Sequence, residues 1–217
     1  MLIIVDGTGN ADDEKYRKEC KGSFCRQLRR HSHAHYIRGP SLWGWETSVI
    51  ADKVVERARL RSGGGDLMLA GHSRGGCAVI LAAKRLQAEG VKIAAMFLFD
   101  AVDMQGADMS LSREIPGNVG YVAHARSARD LTFWVHNPKK SRFYFYNTGL
   151  GLADHPENYV EKPFVGSHSA IGGLPWKDIP SDVGTVNQTA EWMNRHLADH
   201  GVRDVKLHWS GEYAKNL

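Results

Sequence analysis

Short apolar runs alternate with amphipathic segments along the chain. The runs Leu2–Val5, Leu67–Ala70 and Lys92–Phe99 are apolar at nearly every position, which is typical of strands buried on both faces of a sheet. Residues 50–60 instead place apolar side chains at helical spacing among charges, which predicts a helix that packs on the sheet. This succession of strands and helices predicts an α/β fold.

The rest of the pattern adds shorter elements of the same two kinds. Helices are predicted at about 24–31, with Ser23 as N-cap, at 77–89 and at 191–200. Strands are predicted around 35–37, within 119–123 and within 143–146. Residues 11–20 are expected to form a surface loop or a short helix. No linker rich in Pro, Gly and Ser divides the 217 residues. We therefore expect one compact α/β domain, residues 1–217, with a mostly parallel sheet and helices on both faces.

The segment from Gly71 to Gly75 carries the strongest chemical signal. An apolar run ends in Gly-His-Ser-Arg-Gly, and an alanine-rich helical segment follows at once, as in the strand, sharp turn and helix of a nucleophile elbow. Ser73 is expected at the tip of the turn, where the flanking glycines let strand and helix approach closely. The amide of Arg74, at the start of the helix, is then placed to stabilise an oxyanion.

Two other predicted strands also end in polar residues. Because sites in parallel sheets lie beyond the carboxyl ends of the strands, the loop after Asp6 and the residue Asp100 are expected near the serine. The amide of Gly7 or Thr8 is the candidate for a second oxyanion donor. Asp100 is the preferred acid to orient a histidine, and Asp103 is the alternative. The simpler, non-catalytic explanation for either aspartate is that it caps a helix or forms a turn.

The general base must come from eleven histidines. In folds with a nucleophile elbow, the catalytic residues follow along the chain in the order serine, acid, histidine. The base should therefore follow the acid and lie on a loop near the elbow. His168 is preferred because the glycines of the segment Gly166–Gly173 let a loop fold back over the strand ends. His72, next to the serine, is assigned to packing or to support of the catalytic residues. The other histidines that satisfy the order are His124, His136 and His155, followed by His196 and His200 on the last predicted helix.

Composition narrows the classes of partner. The net charge is +4 and the isoelectric point about 9.0, but the basic residues are scattered, so nucleic-acid binding is not expected and peripheral contact with an anionic membrane surface stays open. No apolar run reaches membrane-spanning length and no signal peptide precedes the first strand, which predicts synthesis in the cytoplasm, with signal-independent export still open. The oligomeric state is not indicated.

Three cysteines are an odd number, which indicates reduced thiols. Cys20 and Cys25 lie near His31, His33 and His35, a combination that invites a metal site. The spacing matches no common zinc pattern, so a solvated helix with a polar turn is the preferred interpretation, and neither a metal nor a cofactor is expected.

The motifs taken together resemble a known family. The chain is similar to the α/β-hydrolases of the DUF2235 family, which includes phospholipase effectors of the type VI secretion system. The resemblance covers nearly the whole chain, and in chain order it is carried by Val5–Asn10, His35–Gly39, Gly71–Gly76, Phe99–Val102, His124–Asp130, Gly166–Gly173 and Trp192-Met193.

The resemblance implies an α/β-hydrolase fold with Ser73, Asp100 and His168 as the triad. Ala170 stands where the family usually has an aspartate. The chain also lacks the long insertions of larger relatives, so little or no cap domain is expected.

These observations predict a serine hydrolase that cleaves carboxylic esters, either of lipids or of small soluble molecules. Thioester or amide hydrolysis, acyl transfer to another acceptor, and a hydrolase fold that only binds a partner are the alternatives. Trp43, Trp45 and Trp134 are candidates to line an acyl pocket or to face an interface, although core packing is the commoner role of tryptophan.

Overall fold

The computed structural model describes residues 1–41, 46–60, 65–104, 112–128 and 145–214. Its strands are β1 (Leu2–Val5), β2 (Ala34–Ile37), β3 (Met68–His72), β4 (Ala95–Phe99), β5 (Val102–Met104), β6 (Val122–Ser127), β7 (Phe145–Asn147) and β8 (Tyr159–Phe164). Its α-helices are α1 (Asp13–Glu19), α2 (Phe24–Leu28), α3 (Thr47–Arg59), α4 (Arg74–Ala88), α5 (His168–Ile171) and α6 (Asp182–Asp199), and a 3₁₀ turn covers Pro156–Asn158.

Six strands form one parallel sheet in the order β2-β1-β3-β4-β6-β8. The chain runs from β1 outward to β2 and then returns to place β3 on the other side of β1. Neighbouring strands whose connections leave in opposite directions form a topological switch point, and a crevice opens there at their carboxyl ends. The loop after β1 and the Ser73 turn after β3 meet at this point.

The sheet is covered on both faces, which confirms the predicted α/β architecture. Helices α3 and α4 pack on one face, where Val54, Val79 and Ile80 join Ile3 and Leu69 in one buried cluster. On the other face a second cluster brings helices α2 and α6 against the alternate side chains of the same strands. Each fully buried aliphatic side chain of this kind contributes about 1.5–3 kcal/mol relative to exposure.

Some elements differ from their predicted positions. Strand β8 was not predicted because Pro163 and its mostly exposed polar side chains lack an apolar pattern; it lies at the edge of the sheet, where both are tolerated. Strand β7 pairs antiparallel with β5 in a small separate sheet rather than in the main one. Helix α6 begins at Asp182 instead of Glu191 because Val186 and its buried neighbours pack on the sheet, which outweighs the low helix propensity of that stretch.

The described part of the chain contains no helix that is both long and apolar enough to cross a bilayer.

Candidate active site

Ser73 occupies a strained turn between β3 and α4. Its backbone has φ 56° and ψ −131°, a left-handed conformation that a non-glycine residue adopts only where the surrounding fold holds it. A β-carbon at Gly71 would lie 2.6 Å from the carbonyl oxygen of Gly75, and one at Gly75 would lie 2.3 Å from the carbonyl oxygen of Asp6. Both glycines are therefore required for this close approach of strand, helix and neighbouring loop.

Three side chains from separate segments form a hydrogen-bonded row. The Nε2 atom of His168 lies 2.8 Å from Oγ of Ser73, and its Nδ1 lies 2.7 Å from Oδ2 of Asp100. Asp100 is fully buried, whereas the His168 side chain is 16% exposed. The row thus has a carboxylate screened from water at one end and a hydroxyl at the other, with the imidazole between them.

Asp100 is held by the turn that follows β4. Its backbone is also left-handed, with φ 45°, and its amide donates to the carbonyl of Ala125 at 2.7 Å. The second carboxylate oxygen, Oδ1, accepts the amide of Ser127 at 3.1 Å. Because one oxygen is held by Ser127, the other is directed at the imidazole.

The alternative acid, Asp103, lies on β5 and is also buried. Its charge acts on Arg74, whose pKa it raises against the lowering by burial, and on the thiol of Cys77. The carboxylate in contact with His168 is that of Asp100.

Helix α6 fixes the loop that carries His168. The carboxylate of Asp182, fully buried, accepts the amide of Ser167 at 2.9 Å and its hydroxyl at 2.5 Å. Thr185, one turn later, donates its hydroxyl to the carbonyl of Val165 at 2.5 Å. Sequence reasoning missed Asp182: the pair Ser181-Asp182 is a readable helix start, but no local signal shows that its carboxylate reaches a loop fifteen residues away.

The other candidate bases that the structure describes make no hydrogen bond to Ser73. His124 is buried beneath the Asp100 turn, where its Nε2 accepts the amide of Ala101 at 3.1 Å. His155 lies 3.6 Å from Glu157 on the surface, and His196 bonds the hydroxyl of Tyr121. His200 stacks on Tyr121, and His136 lies outside the described residues. Of the candidate histidines that the structure describes, His168 is the one at hydrogen-bonding distance from the serine.

The loop after β1 lies directly beside Ser73. A β-carbon on Gly7 would be 3.3 Å from the β-carbon of Ser73. The amide of Gly7, however, donates to its neighbour Asp6 at 2.8 Å, which directs it inward. Of the two candidate donors in this loop we therefore favour Thr8, whose hydroxyl accepts Nε of Arg74 at 2.9 Å and so couples it to the residue that begins α4.

A buried polar network supports this loop from below. The Asp6 carboxylate is 1% exposed and accepts the hydroxyls of Ser23 at 2.8 Å and Tyr36 at 2.9 Å. Burial raises the pKa of Asp6, and these hydrogen bonds oppose the increase. Cys20 and Cys25 lie nearby, both buried, and burial raises the pKa of both thiols. Within the described ranges no group of His, Cys, Asp and Glu side chains could hold a metal ion.

His72 packs between the three loops of the site. Its ring stacks on that of His168 with centroids 5.1 Å apart and planes at 30°. β-carbons added at Gly7 or at Gly172 would lie 2.5 Å from this ring, so both loops touch it. Burial lowers the pKa of His72 to about 3, and a charge on His168 acts in the same direction. The neutral ring of His72 thus lies between the segments that carry Ser73, His168 and Gly7 and contacts all three.

Gly172→Ala is expected to reduce any activity of the site by about 10- to 100-fold, since a shift of about 1 Å at a reacting group has an effect of this size. The new methyl group would overlap the His72 ring and push the His168 loop away from Ser73. Turnover and thermal melting of the two proteins measure the effect. Gly184→Ala, on α6 with open space around the new methyl group, is the matched control and should keep full activity. Unchanged turnover in Gly172→Ala would show that His72 does not transmit the displacement.

His72 should also make stability depend on pH. Its pKa falls from 6.5 to about 3 in the folded protein, so the unfolded chain takes up a proton first as the pH drops. The contribution of His72 to the free energy of unfolding is therefore constant above pH 6.5 and falls between pH 6.5 and pH 3, by about 1.4 kcal/mol per pH unit. Between pH 6.5 and pH 5 the loss from this group is about 2 kcal/mol. Urea unfolding at several pH values should show this loss in wild type and its absence in His72→Asn; parallel pH dependences would contradict it.

No family model matches the chain, and a search of the curated proteins finds no match. Membership of the hydrolase family that the motifs resemble is therefore a proposal. The α/β fold with its parallel sheet rests on the strands and helices themselves.

Trp43, Trp45 and Trp134, the candidates for an acyl pocket, lie outside the described residues. Phe145 on β7 was not among the predicted pocket residues. Its ring lies 6.3 Å from that of His168, nearly parallel to it. An apolar ring therefore stands beside the imidazole.

Proposed function

We propose that the protein is a serine hydrolase that cleaves carboxylic esters through an acyl-enzyme intermediate. The observation that carries the proposal is the row of Ser73, His168 and Asp100, with contacts of 2.8 and 2.7 Å, at the tip of a strained elbow. A structural role alone would not require a serine in a left-handed turn pointing at an imidazole that is oriented by a buried carboxylate.

In the acylation step, Oγ of Ser73 attacks the ester carbonyl while Nε2 of His168 accepts its proton. The Asp100 carboxylate accepts a hydrogen bond from the Nδ1–H group and stabilises the imidazolium that forms. The tetrahedral intermediate places its negative oxygen near the amides of Arg74 and Thr8, at the positive end of the α4 dipole. The imidazolium then donates its proton to the alcohol as the carbon–oxygen bond breaks.

Deacylation repeats these roles with water. His168 accepts a proton from water, which attacks the acyl carbonyl, and returns it to Oγ as the acid leaves. The same two amides bind the second tetrahedral oxyanion. Because His168 is partly exposed, water reaches this side of the acyl-enzyme.

The substrate is proposed to be an ester with an apolar acyl group, from a lipid or a small molecule. The Phe145 ring beside His168 and the resemblance to phospholipase effectors support this class. The chain's place within that family is likewise proposed on its motifs, with Ala170 as the departure noted above.

Labelling with a fluorophosphonate probe, followed by mass spectrometry, tests the proposal. Wild-type protein should gain one adduct on Ser73 and hydrolyse p-nitrophenyl esters. Absence of both labelling and hydrolysis would overturn the enzyme assignment and favour a binding protein. Hydrolysis of acyl-CoA in preference to p-nitrophenyl esters of several chain lengths would instead make it a thioesterase.

A further inference from the structure

A tyrosine outside the row contacts the loop that carries the candidate oxyanion donor. Tyr16 lies on α1 and is 1% exposed. Its hydroxyl is 2.6 Å from the carbonyl oxygen of Gly7 and 2.8 Å from the amide nitrogen of Gly39. Since an amide can only donate, the hydroxyl accepts from Gly39 and gives its single proton to Gly7. Burial and the charge of Asp6 raise the pKa of Tyr16 well above its ordinary value, so this proton stays in place.

The Gly7 carbonyl and the Thr8 amide belong to one planar trans peptide, in which the C=O and N–H groups point in opposite directions. A hydrogen bond that fixes the carbonyl therefore also fixes the direction of the amide, which points away from Tyr16. On its other side, Gly7 donates its own amide to Asp6 at 2.8 Å. Both peptides that meet at Gly7 are thus held by a hydrogen bond, the Asp6–Gly7 peptide through its amide and the Gly7–Thr8 peptide through its carbonyl, which limits their rotation.

The same peptide is coupled to the elbow. Gly7 lies against Ser73, with a hypothetical β-carbon 3.3 Å from that of the serine, and the Thr8 hydroxyl accepts Nε of Arg74 at 2.9 Å. Any rotation of the peptide would move the Thr8 amide relative to the Arg74 amide. Oxyanion stabilisation depends on donors that are already oriented before the charge develops.

We infer that Tyr16 is a positioning residue of the oxyanion site: by donating its hydroxyl proton to the Gly7 carbonyl, it orients the Thr8 amide towards the tetrahedral intermediate on Ser73. The inference rests on the proposed function. It assigns to Tyr16 a share in stabilising the transition state, separate from the ring packing that it provides under Arg38 and against Gly9.

Tyr16→Phe removes the hydroxyl and keeps the ring. Loss of one oxyanion donor reduces kcat by about 10²–10³-fold, so a misoriented donor is expected to reduce kcat by about 10- to 100-fold, with KM within about threefold of wild type. A boronic acid that adds to Ser73 places a charged oxygen in the same site. Its affinity should fall in parallel with kcat/KM, while the shape of the pH–rate profile stays unchanged because His168 is not affected.

Titration with the fluorophosphonate gives the concentration of competent sites, so kcat is normalised even where part of the variant is unfolded. Tyr121→Phe is the matched control: its hydroxyl bonds His196 at the other end of the sheet, and both kcat and boronate affinity should match wild type. A purely structural role of Tyr16 would lower the melting temperature but leave normalised kcat and boronate affinity within about threefold of wild type, and this result would overturn the inference. Wild-type protein that neither reacts with the probe nor hydrolyses esters would overturn the proposed function itself.

Discussion

Ser73→Ala is expected to lower kcat for p-nitrophenyl ester hydrolysis by about 10⁴–10⁶-fold, the range seen when the nucleophile of a serine hydrolase is removed. Without Oγ the acyl-enzyme cannot form. His168 remains in place but accepts a proton only from water, which is not held in position for attack. Steady-state hydrolysis at neutral pH, with circular dichroism to verify the fold, measures the loss.

The control for this prediction is Ser32→Ala, since Ser32 is an exposed serine far along the chain from the elbow. It should retain wild-type turnover and the same labelling by fluorophosphonate. Residual activity above about one tenth of wild type in Ser73→Ala would mean that another group is the nucleophile.

Asp100→Asn is expected to lower kcat by about 10⁴-fold while the protein stays folded. The asparagine carbonyl can still accept the Ser127 amide, which leaves an NH₂ group facing the imidazole in place of a carboxylate oxygen. This group donates to Nδ1 and favours the tautomer that carries its proton on Nε2, so the ring can no longer accept the proton of Ser73. Stopped-flow or steady-state rates between pH 7 and 9 measure the effect, together with melting temperatures.

Asp103→Asn separates the two candidate acids. It neutralises another buried carboxylate, on β5, whose charge acts on Arg74. The Asp103→Asn variant should lower kcat by less than about tenfold. The reverse ranking of the two variants would transfer the orienting role to Asp103.

Much of the framework is predictable because it is encoded locally. The apolar runs that become β1 and β3 are typical of strands buried on both faces of a sheet. The glycines around Ser73 are required by the sharp turn between β3 and α4. Chain order and flanking glycines were enough to prefer His168, the histidine that the fold brings to the serine.

The supporting contacts were not predictable, because they depend on how segments dock and fold back on one another, which no local residue pattern reveals. Asp182 reaches Ser167 only once α6 has docked, and Tyr16 reaches Gly7 only because the chain folds back after β1. A buried tyrosine on a short charged helix looks like ordinary packing from the sequence alone. The preference for Thr8 over Gly7 likewise depends on a hydrogen bond to Asp6 that no local pattern reveals.

The large separation of Ser73 and His168 along the chain determines when the site is completed during synthesis. His168 lies 95 residues after Ser73, and the carboxylate that anchors its loop comes later still, at Asp182. During ribosomal synthesis the elbow can fold while the base is still unmade, so on the proposed mechanism the nascent serine has no partner to deprotonate it. Acyl chemistry of the proposed kind would therefore begin only after helix α6 has closed over the sheet, and the unfinished polypeptide would leave cellular esters intact.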